Sequence, residues 1–459
     1  MKKSIIEKTI EAPAEALEFT VEEGQKLAKA IATQGTGIPL KKAKDYWAVL
    51  GPGLTTGASD DDPSGIATYS QAGAQYGFSM LWTAAFTFPL MAVVQEMCAR
   101  IGLVTGRGLA ANIKNHFGKK VLYFSALLLF AANTFNIGAD LGAMASGIQL
   151  INPAIRYGAL VVAVTFFIML VQIFTPYAQY ARYLKWLALI LFAYILSAIL
   201  AHPNWGVVIK NSVIPKIEFN KNYIFLLTAV LGTTITPYLF FWQTSQEIED
   251  EIAAGEKTLK QRQLVSRRQI NDMRIDVWSG MFLSNIVSFF IIAACAAVLF
   301  THGVTNISTA AQAAEALRPF AGNATYWLFA FGIIGVGLLA IPVLAGASAY
   351  AISESLGKHQ GLNQKLKQGS AFYGVVIISM LVGLSLNFIG LNPIKALIYS
   401  AVLNGVVAPI ILVQIMLIAR NKHIMHEWKN GKASELLGWV LTIVMAIAGI
   451  ATVYSIFSN

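Results

Sequence analysis

Runs of apolar residues long enough to cross a lipid bilayer recur along the whole chain, and that pattern leaves few folds open. The runs place spans near residues 46–77, 78–104, 121–149, 157–174, 184–201, 223–245, 276–301, 325–353, 371–389, 394–419 and 435–456. Roughly 20 apolar residues carry a helix across the hydrocarbon core, so the pattern predicts about eleven transmembrane helices. Composition agrees, with 56% hydrophobic and 13% charged residues and a mean hydropathy of +0.59, against roughly 25% charge in a soluble domain. A water-soluble enzyme is excluded. A membrane enzyme is disfavoured too, because no nucleophile and base can be paired within the spans.

The net charge of +10 would suit a nucleic-acid partner if it were clustered, but it follows the loops. Most Lys and Arg fall in residues 1–45, 105–120, 175–185, 246–275, 354–370 and 420–434, which alternate spans put on one side. The positive-inside rule makes that side cytoplasmic, with the amino terminus inside and the carboxyl terminus outside. The partners expected from charge are therefore the bilayer and its anionic lipids, not nucleic acid. Residues 1–45 read as a polar cytosolic tail, with Glu7, Glu11 and Glu15 ahead of the first apolar run near Trp47, and no cleavable signal peptide is expected. The charge-dense loop 246–275 reads as a solvated cytosolic helix. Cys98 and Cys295 lie in apolar runs without a CxxC or His partner, so neither a disulfide framework nor a zinc site is expected.

Two spans are interrupted by polar groups. The first reads GPGLTTGASDDDPSGIATYSQAGAQYG over residues 51–77, with Asp60, Asp61 and Asp62 before Pro63. Each carboxylate at mid-membrane costs roughly 2.5–3.5 kcal/mol, so a continuous lipid-facing helix is untenable. Pro63 removes a backbone donor and Gly65 weakens the helix. The expected result is two half-helices joined by extended backbone, with carbonyls and carboxylates turned into a cavity suited to a cation. A turn between two separate helices is the alternative, disfavoured because each half is too short to span. The second interruption, LGTTITPYLFFWQTS over residues 231–245, sets Pro237 among Thr233, Thr234 and Thr236. Broken helices at the first and sixth positions point to paired inverted repeats with a site at their interface. The fold expected is an all-α polytopic membrane protein with a LeuT-like 5+5 inverted repeat. Residues 46–202 and 223–420 form the repeats, 203–222 an extracellular loop, and 421–459 a cytosolic loop and an eleventh helix.

The run through LWTAAFTFPLMAVVQEMCARIGLVTGRGLA, with GTTITPY at the sixth-helix break, resembles the NRAMP metal-transporter family over residues 46–420. That family carries DPGN in its first helix and MPH in its sixth. Here Asp62, Pro63, Ser64 and Gly65 stand for the former, and Thr236, Pro237 and Tyr238 for the latter, so an amide, a thioether and an imidazole are all replaced. The replacements are similar to those of the NRAMP-related magnesium transporters. The resemblance implies a metal site of Asp62, the Ser59 carbonyl, the Thr233 carbonyl and Thr236, with Gly65 leaving room for a hydrated ion. The tenth-helix glutamine position of the family falls on Ala401, with Asn404 a possible substitute one turn on. An oxygen-only donor set favours hard cations, so the expected substrate is Mg²⁺ with Mn²⁺ second, and no cofactor.

Asp61 and Asp60 are expected in a vestibule, concentrating cations. The resemblance also bears on coupling. GADLGAMASG retains Asp140 of the family's acidic pair but has Ala143 for the second acid, and Tyr238 replaces the histidine. No histidine falls in a span interior, so no proton symport is expected. Asn133, Asn136 and Asp140 share one helix face, expected to line a hydrated pathway, with an interhelical hydrogen-bond network as the alternative. Gln243 is expected on the inner route, and Glu96 with Arg100 as a structural bridge. The alternative function is a proton-coupled Mn²⁺/Fe²⁺ symporter. A plasma-membrane monomer or weak homo-oligomer is expected.

Overall fold

A computed structural model describes residues 51–175, 189–358, 361, 366 and 369–458. The tail 1–45, most of the basic loop 175–185 and parts of the loop 354–370 lie outside the described residues. Among those described, every element is helical.

The first interrupted span is two helices, α1 (Pro52–Asp60) and α2 (Pro63–Tyr76). Each half of the break has its own cause. Pro63 cannot donate to the carbonyl four residues back, and Asp62 in extended backbone then starts a fresh helix as its N-cap. After α2 come α3 (Leu81–Thr105), the short α4 (Leu109–Phe117), α5 (Lys119–Ile151), α6 (Tyr157–Phe174), α7 (Phe192–Leu200) and α8 (Trp205–Val213). The second interrupted span has the same layout: α9 (Lys221–Thr234) stops, Thr236 in extended backbone takes the N-cap position without a side-chain bond, and Pro237 opens α10 (Pro237–Ala253). The chain continues through α11 (Arg267–Val298), α12 (Thr325–Leu356), α13 (Ser370–Leu386), α14 (Pro393–Ala419) and α15 (Lys432–Phe457). By length and composition, eight helical stretches among the described residues can cross a membrane, where eleven spans were expected. Large apolar side chains exposed on the outer helices, among them Phe124, Phe167, Ile447 and Tyr454, suit lipid and not water.

The loop expected at 246–275 differs from a freely solvated helix. Helix α10 runs on to Ala253 and buries Glu247 and Glu251. Helix α11 starts at Arg267, before its apolar run, because Ser266 and Gln269 form a capping box there.

Small residues set the closest helix crossings. A Cβ on Gly57 would lie 2.3 Å from the Gly280 carbonyl oxygen, and one on Gly280 would lie 2.1 Å from that of Gly53, so α1 and α11 touch backbone to backbone. Helices α9 and α14 meet likewise, a Cβ on Gly232 falling 2.1 Å from the Ala401 carbonyl oxygen. Lipid gives helices no hydrophobic reason to associate, so such close contact supplies the dispersion energy. Gly337, in the small-residue run 332–340, admits Met144 of α5 against α12. Glu96 and Arg100 do approach each other at 3.7 Å, but the nearer partner of Glu96 is Arg274 of α11, at 2.8 Å.

Candidate functional site

The two breaks face each other. Pro63 leaves the Ser59 carbonyl without its helical donor, and Pro237 does the same for Thr233. The Tyr238 hydroxyl, just past the second break, donates to the Ser59 carbonyl at 3.1 Å. Tyr69 and Thr234 join hydroxyls at 2.9 Å, and Ser64 lies 3.4 Å from the Thr233 hydroxyl. A Cβ on Gly65 would sit 3.2 Å from Thr233 Oγ1, so glycine here lets the second half of one broken helix approach the first half of the other.

Asp62 stands at the centre. Its Oδ1 accepts from the Gly65 N–H and the Ser64 hydroxyl, both at 2.7 Å, and its Oδ2 accepts from Asn136 Nδ2 at 2.9 Å. Asn136 is held in turn by the Ser400 hydroxyl of α14 at 2.8 Å. The carboxylate is therefore aimed by three elements and sits on the positive end of α2. Thr236 occupies the matching cap position of α10, makes no capping bond through its side chain, and is buried. Asp140 is buried within range of the Asp62 charge. Asn404, one turn beyond Ser400, is fully buried, and neither end of its amide meets a partner among the described residues.

Several side chains stand elsewhere than expected. Asp60 and Asp61 are buried, not in an open vestibule: α1 ends at them, and Ser284 of α11 donates to Asp60 at 2.6 Å and reaches Asp61 at 3.4 Å. Asn133 does not face Asp62. It donates to the Leu344 carbonyl and the Ser348 hydroxyl of α12, the interhelical network that was the alternative for this stripe. Gln243 is buried and donates to Glu247 at 2.7 Å. Neither the Asn stripe nor Gln243 lines an open channel, and Asp62 and Thr236 are each only 1% exposed, so this conformation is closed around the breaks.

Sequence reasoning missed Ser400, Ser284 and Asp276. The first two are single hydroxyls in apolar runs, where packing is the commoner role. Asp276 accepts from the backbone N–H groups of Gly51, Gly53 and Leu54 at 2.8, 2.5 and 3.0 Å, capping α1 from another helix. Its signal was a carboxylate at the very start of an apolar run.

Four carboxylates, Asp60, Asp61, Asp62 and Asp140, are thus buried together, and no Lys or Arg pairs with any of them among the described residues. Among those residues, no three His, Cys, Asp or Glu side chains converge as a metal cluster. The donors offered at the breaks are one central carboxylate with carbonyl, hydroxyl and amide oxygens. A helical membrane protein with two proline-broken helices closing on such a site is, by class, a membrane transporter and not an enzyme.

The sequence matches the Nramp family, described as natural resistance-associated macrophage protein-like, over residues 53–455. The divalent metal cation transporter MntH of Klebsiella pneumoniae (strain 342) is 26% identical over 416 residues, covering 88% of this chain and 93% of that protein. MntH of Yersinia pestis (strain Pestoides F) is 26% identical over 423 residues, covering 89% and 94%. In fold, the chain is similar to the Eremococcus coleocola manganese transporter solved with an aromatic bis-isothiourea substituted compound. The TM-score is 0.70 at 18% identity, covering 92% of this chain and 89% of that one. It is also similar to Mhp1, a nucleobase-cation-symport-1 family transporter, with a TM-score of 0.52 at 14% identity and coverage of 89% and 91%. The chain belongs to the Nramp family and is a divalent metal cation transporter with a LeuT-like fold.

Proposed function

We propose that the protein carries Mg²⁺, with Mn²⁺ as a second substrate, by alternating access and without proton symport. The observation that carries this reading is the donor chemistry at the breaks: Thr236 and Tyr238 flank Pro237, so the break offers oxygen donors without sulfur or imidazole. Asp62, the Ser59 and Thr233 carbonyls and the Thr236 hydroxyl are the proposed ligands, with the Asn404 amide within the same interface. Oxygen donors suit Mg²⁺, which keeps several of its waters, and a single carboxylate avoids holding it too tightly to release. The closed arrangement suits an occluded state, from which Asn136 and Ser400 would move with α5 and α14 as one side opens.

Absence of proton coupling is supported by Ala143 and Tyr238, which stand where the family carries a second acid and an imidazole, so Asp140 lacks both of those relay partners. The repeats at 46–202 and 223–420, a cytoplasmic amino terminus and a plasma-membrane location complete the proposal, with the protein a monomer or weak homo-oligomer. A proton-coupled Mn²⁺/Fe²⁺ symporter is the second reading, favoured by Asp140 beside Asp62 and by the manganese transporter among its structural neighbours.

Uptake into proteoliposomes separates the two. Mg²⁺ and Mn²⁺ influx, compared with Ca²⁺, is expected to follow the membrane potential, to leave lumenal pH unchanged and to vanish in Asp62→Ala. Lumenal acidification locked to metal entry would overturn the coupling assignment, strong competition by Cd²⁺ the ion assignment, and wild-type transport by Asp62→Ala the site itself.

A further inference from the structure

At the end of the molecule assigned to the cytosol, far along the helices from the breaks, three connections border an open cleft of about 810 Å³. They are the turn from α3 to α4, the segment leading into α11, and the short helix Lys422–Met425 with the turn after it. A volume of this size takes a small organic molecule. Arg107, His116, His423 and His426 line it, with Glu427 as the one carboxylate and Trp428 as an aromatic wall.

The backbone that carries these groups is pinned, while Arg107, His116, His423, His426 and Glu427 are themselves exposed. Asn112 Nδ2 bonds Thr105 Oγ1 and the Arg107 and Gly108 carbonyls, each at 2.9 Å, which fixes the turn carrying Arg107. Arg262 and Gln263 reach across from the neighbouring segment to the Gly106 and Thr105 carbonyls, both at 3.3 Å. Asn421 caps the short helix through the His423 N–H at 2.8 Å. His426 holds φ at 49° and ψ at −123°, a backbone state that costs a non-glycine residue of order 1–3 kcal/mol and recurs where a side chain must be aimed. The Arg107 guanidinium, by contrast, forms no ion pair among the described residues. A planar guanidinium with several imidazoles, and no metal-forming cluster among the described residues, matches a tetrahedral oxyanion better than a cation.

We propose that this cleft binds a phosphate monoester. Arg107 takes the phosphate through paired N–H donors, the imidazoles of His116, His423 and His426 donate to its remaining oxygens, and Glu427 accepts from a hydroxyl of the esterified group against the Trp428 ring. A soluble nucleotide and a phosphatidic-acid headgroup share that chemistry. Because the cleft spans the connections of helices from both halves of the chain, occupancy would tie those halves together on the cytosolic side.

The test uses the full chain, metal-free in EDTA. Adenosine monophosphate and inorganic phosphate are titrated by calorimetry against protein in phosphatidylcholine nanodiscs, and phosphatidic acid binding is counted by native mass spectrometry. Each is repeated with Arg107→Gln and with the pair His423→Gln and His426→Gln, after a melting curve confirms folding. Saturable binding of adenosine monophosphate that weakens about tenfold or more in either variant supports a soluble ligand. The same sensitivity seen only with phosphatidic acid supports a lipid headgroup. Binding of none of the probes, or binding that both folded variants leave unchanged, overturns the proposal. Asp62→Ala is expected to bind the phosphate probe as wild type does, which keeps this site's failure distinct from failure of the transport site.

Discussion

Replacing Asp62 by asparagine separates the ion-binding role of the carboxylate from its structural one. Its structural duties are capping α2 through the Gly65 N–H and anchoring Asn136, at 2.7 and 2.9 Å. Asparagine is as good an N-cap as aspartate, so the first survives. The second loses a charge-assisted bond and forces the Asn136 amide to turn over, so that its Nδ2 donates to the Ser400 hydroxyl instead of its Oδ1 accepting from it, a change worth about 1–2 kcal/mol. Removing one of four buried carboxylates lowers their mutual repulsion and offsets part of that cost. For the ion the balance is different. A divalent cation about 4 Å from one carboxylate gains roughly 8 kcal/mol at an effective dielectric near 20. If dehydration consumes half, about 4 kcal/mol remains, close to a thousandfold in affinity. In Asp62→Asn the metal-free melting temperature is thus expected within about 5 °C of wild type. The rise in melting temperature on adding Mg²⁺ should disappear, and proteoliposome uptake should fall to background. A variant that keeps its Mg²⁺-induced stabilisation and its uptake would refute the ligand role. A variant that cannot fold even metal-free would show that the bond from Asn136 to the charged carboxylate is chiefly structural.

Thr236→Met puts a thioether at the cap of α10, and Cd²⁺ is expected to become a competitor of uptake while Mg²⁺ transport declines, read by competition in the same liposomes. Asp276→Asn weakens the cap that α11 supplies to α1; faster hydrogen exchange at residues 51–57 is expected in a protein that still binds Mg²⁺, and unchanged exchange there would discredit the cap as a restraint. Gly57→Val drives a side chain into the Gly280 carbonyl, where rigid backbone cannot yield. A loss of folded protein in size-exclusion profiles is the expected result, and normal yield would show that α1 and α11 can separate cheaply.

How far the sequence could be read depends on what each inference needed. Apolar length located many of the spans, and the run at 157–174 coincides with α6 because Arg156 and Thr175 bound it in polar residues, while the run at 184–201 falls partly outside the described residues. Where a helix leaves the membrane without stopping, apolarity has no edge to report; α11 begins nine residues before its run, at the Ser266 capping box. The breaks were legible because proline acts locally: its missing N–H orphans one identifiable carbonyl, Ser59 or Thr233, whatever surrounds it. What each polar side chain faces was not legible, since that depends on neighbours far along the chain. Asn133, Asn136 and Asp140 share one face of α5, yet the helix meets α12 at the depth of Asn133 and the first break at the depth of Asn136. One stripe is thereby divided between helix packing and the Asp62 carboxylate. Asp60 and Asp61 make the same point more sharply. They adjoin Asp62 in sequence, but the chain leaves α1 there, and the turn sends them to Ser284 while Asp62 goes to Asn136. In this protein the backbone chemistry of two prolines decides where a site can exist, and the crossings at Gly53, Gly57, Gly232 and Gly280 decide which oxygens reach it.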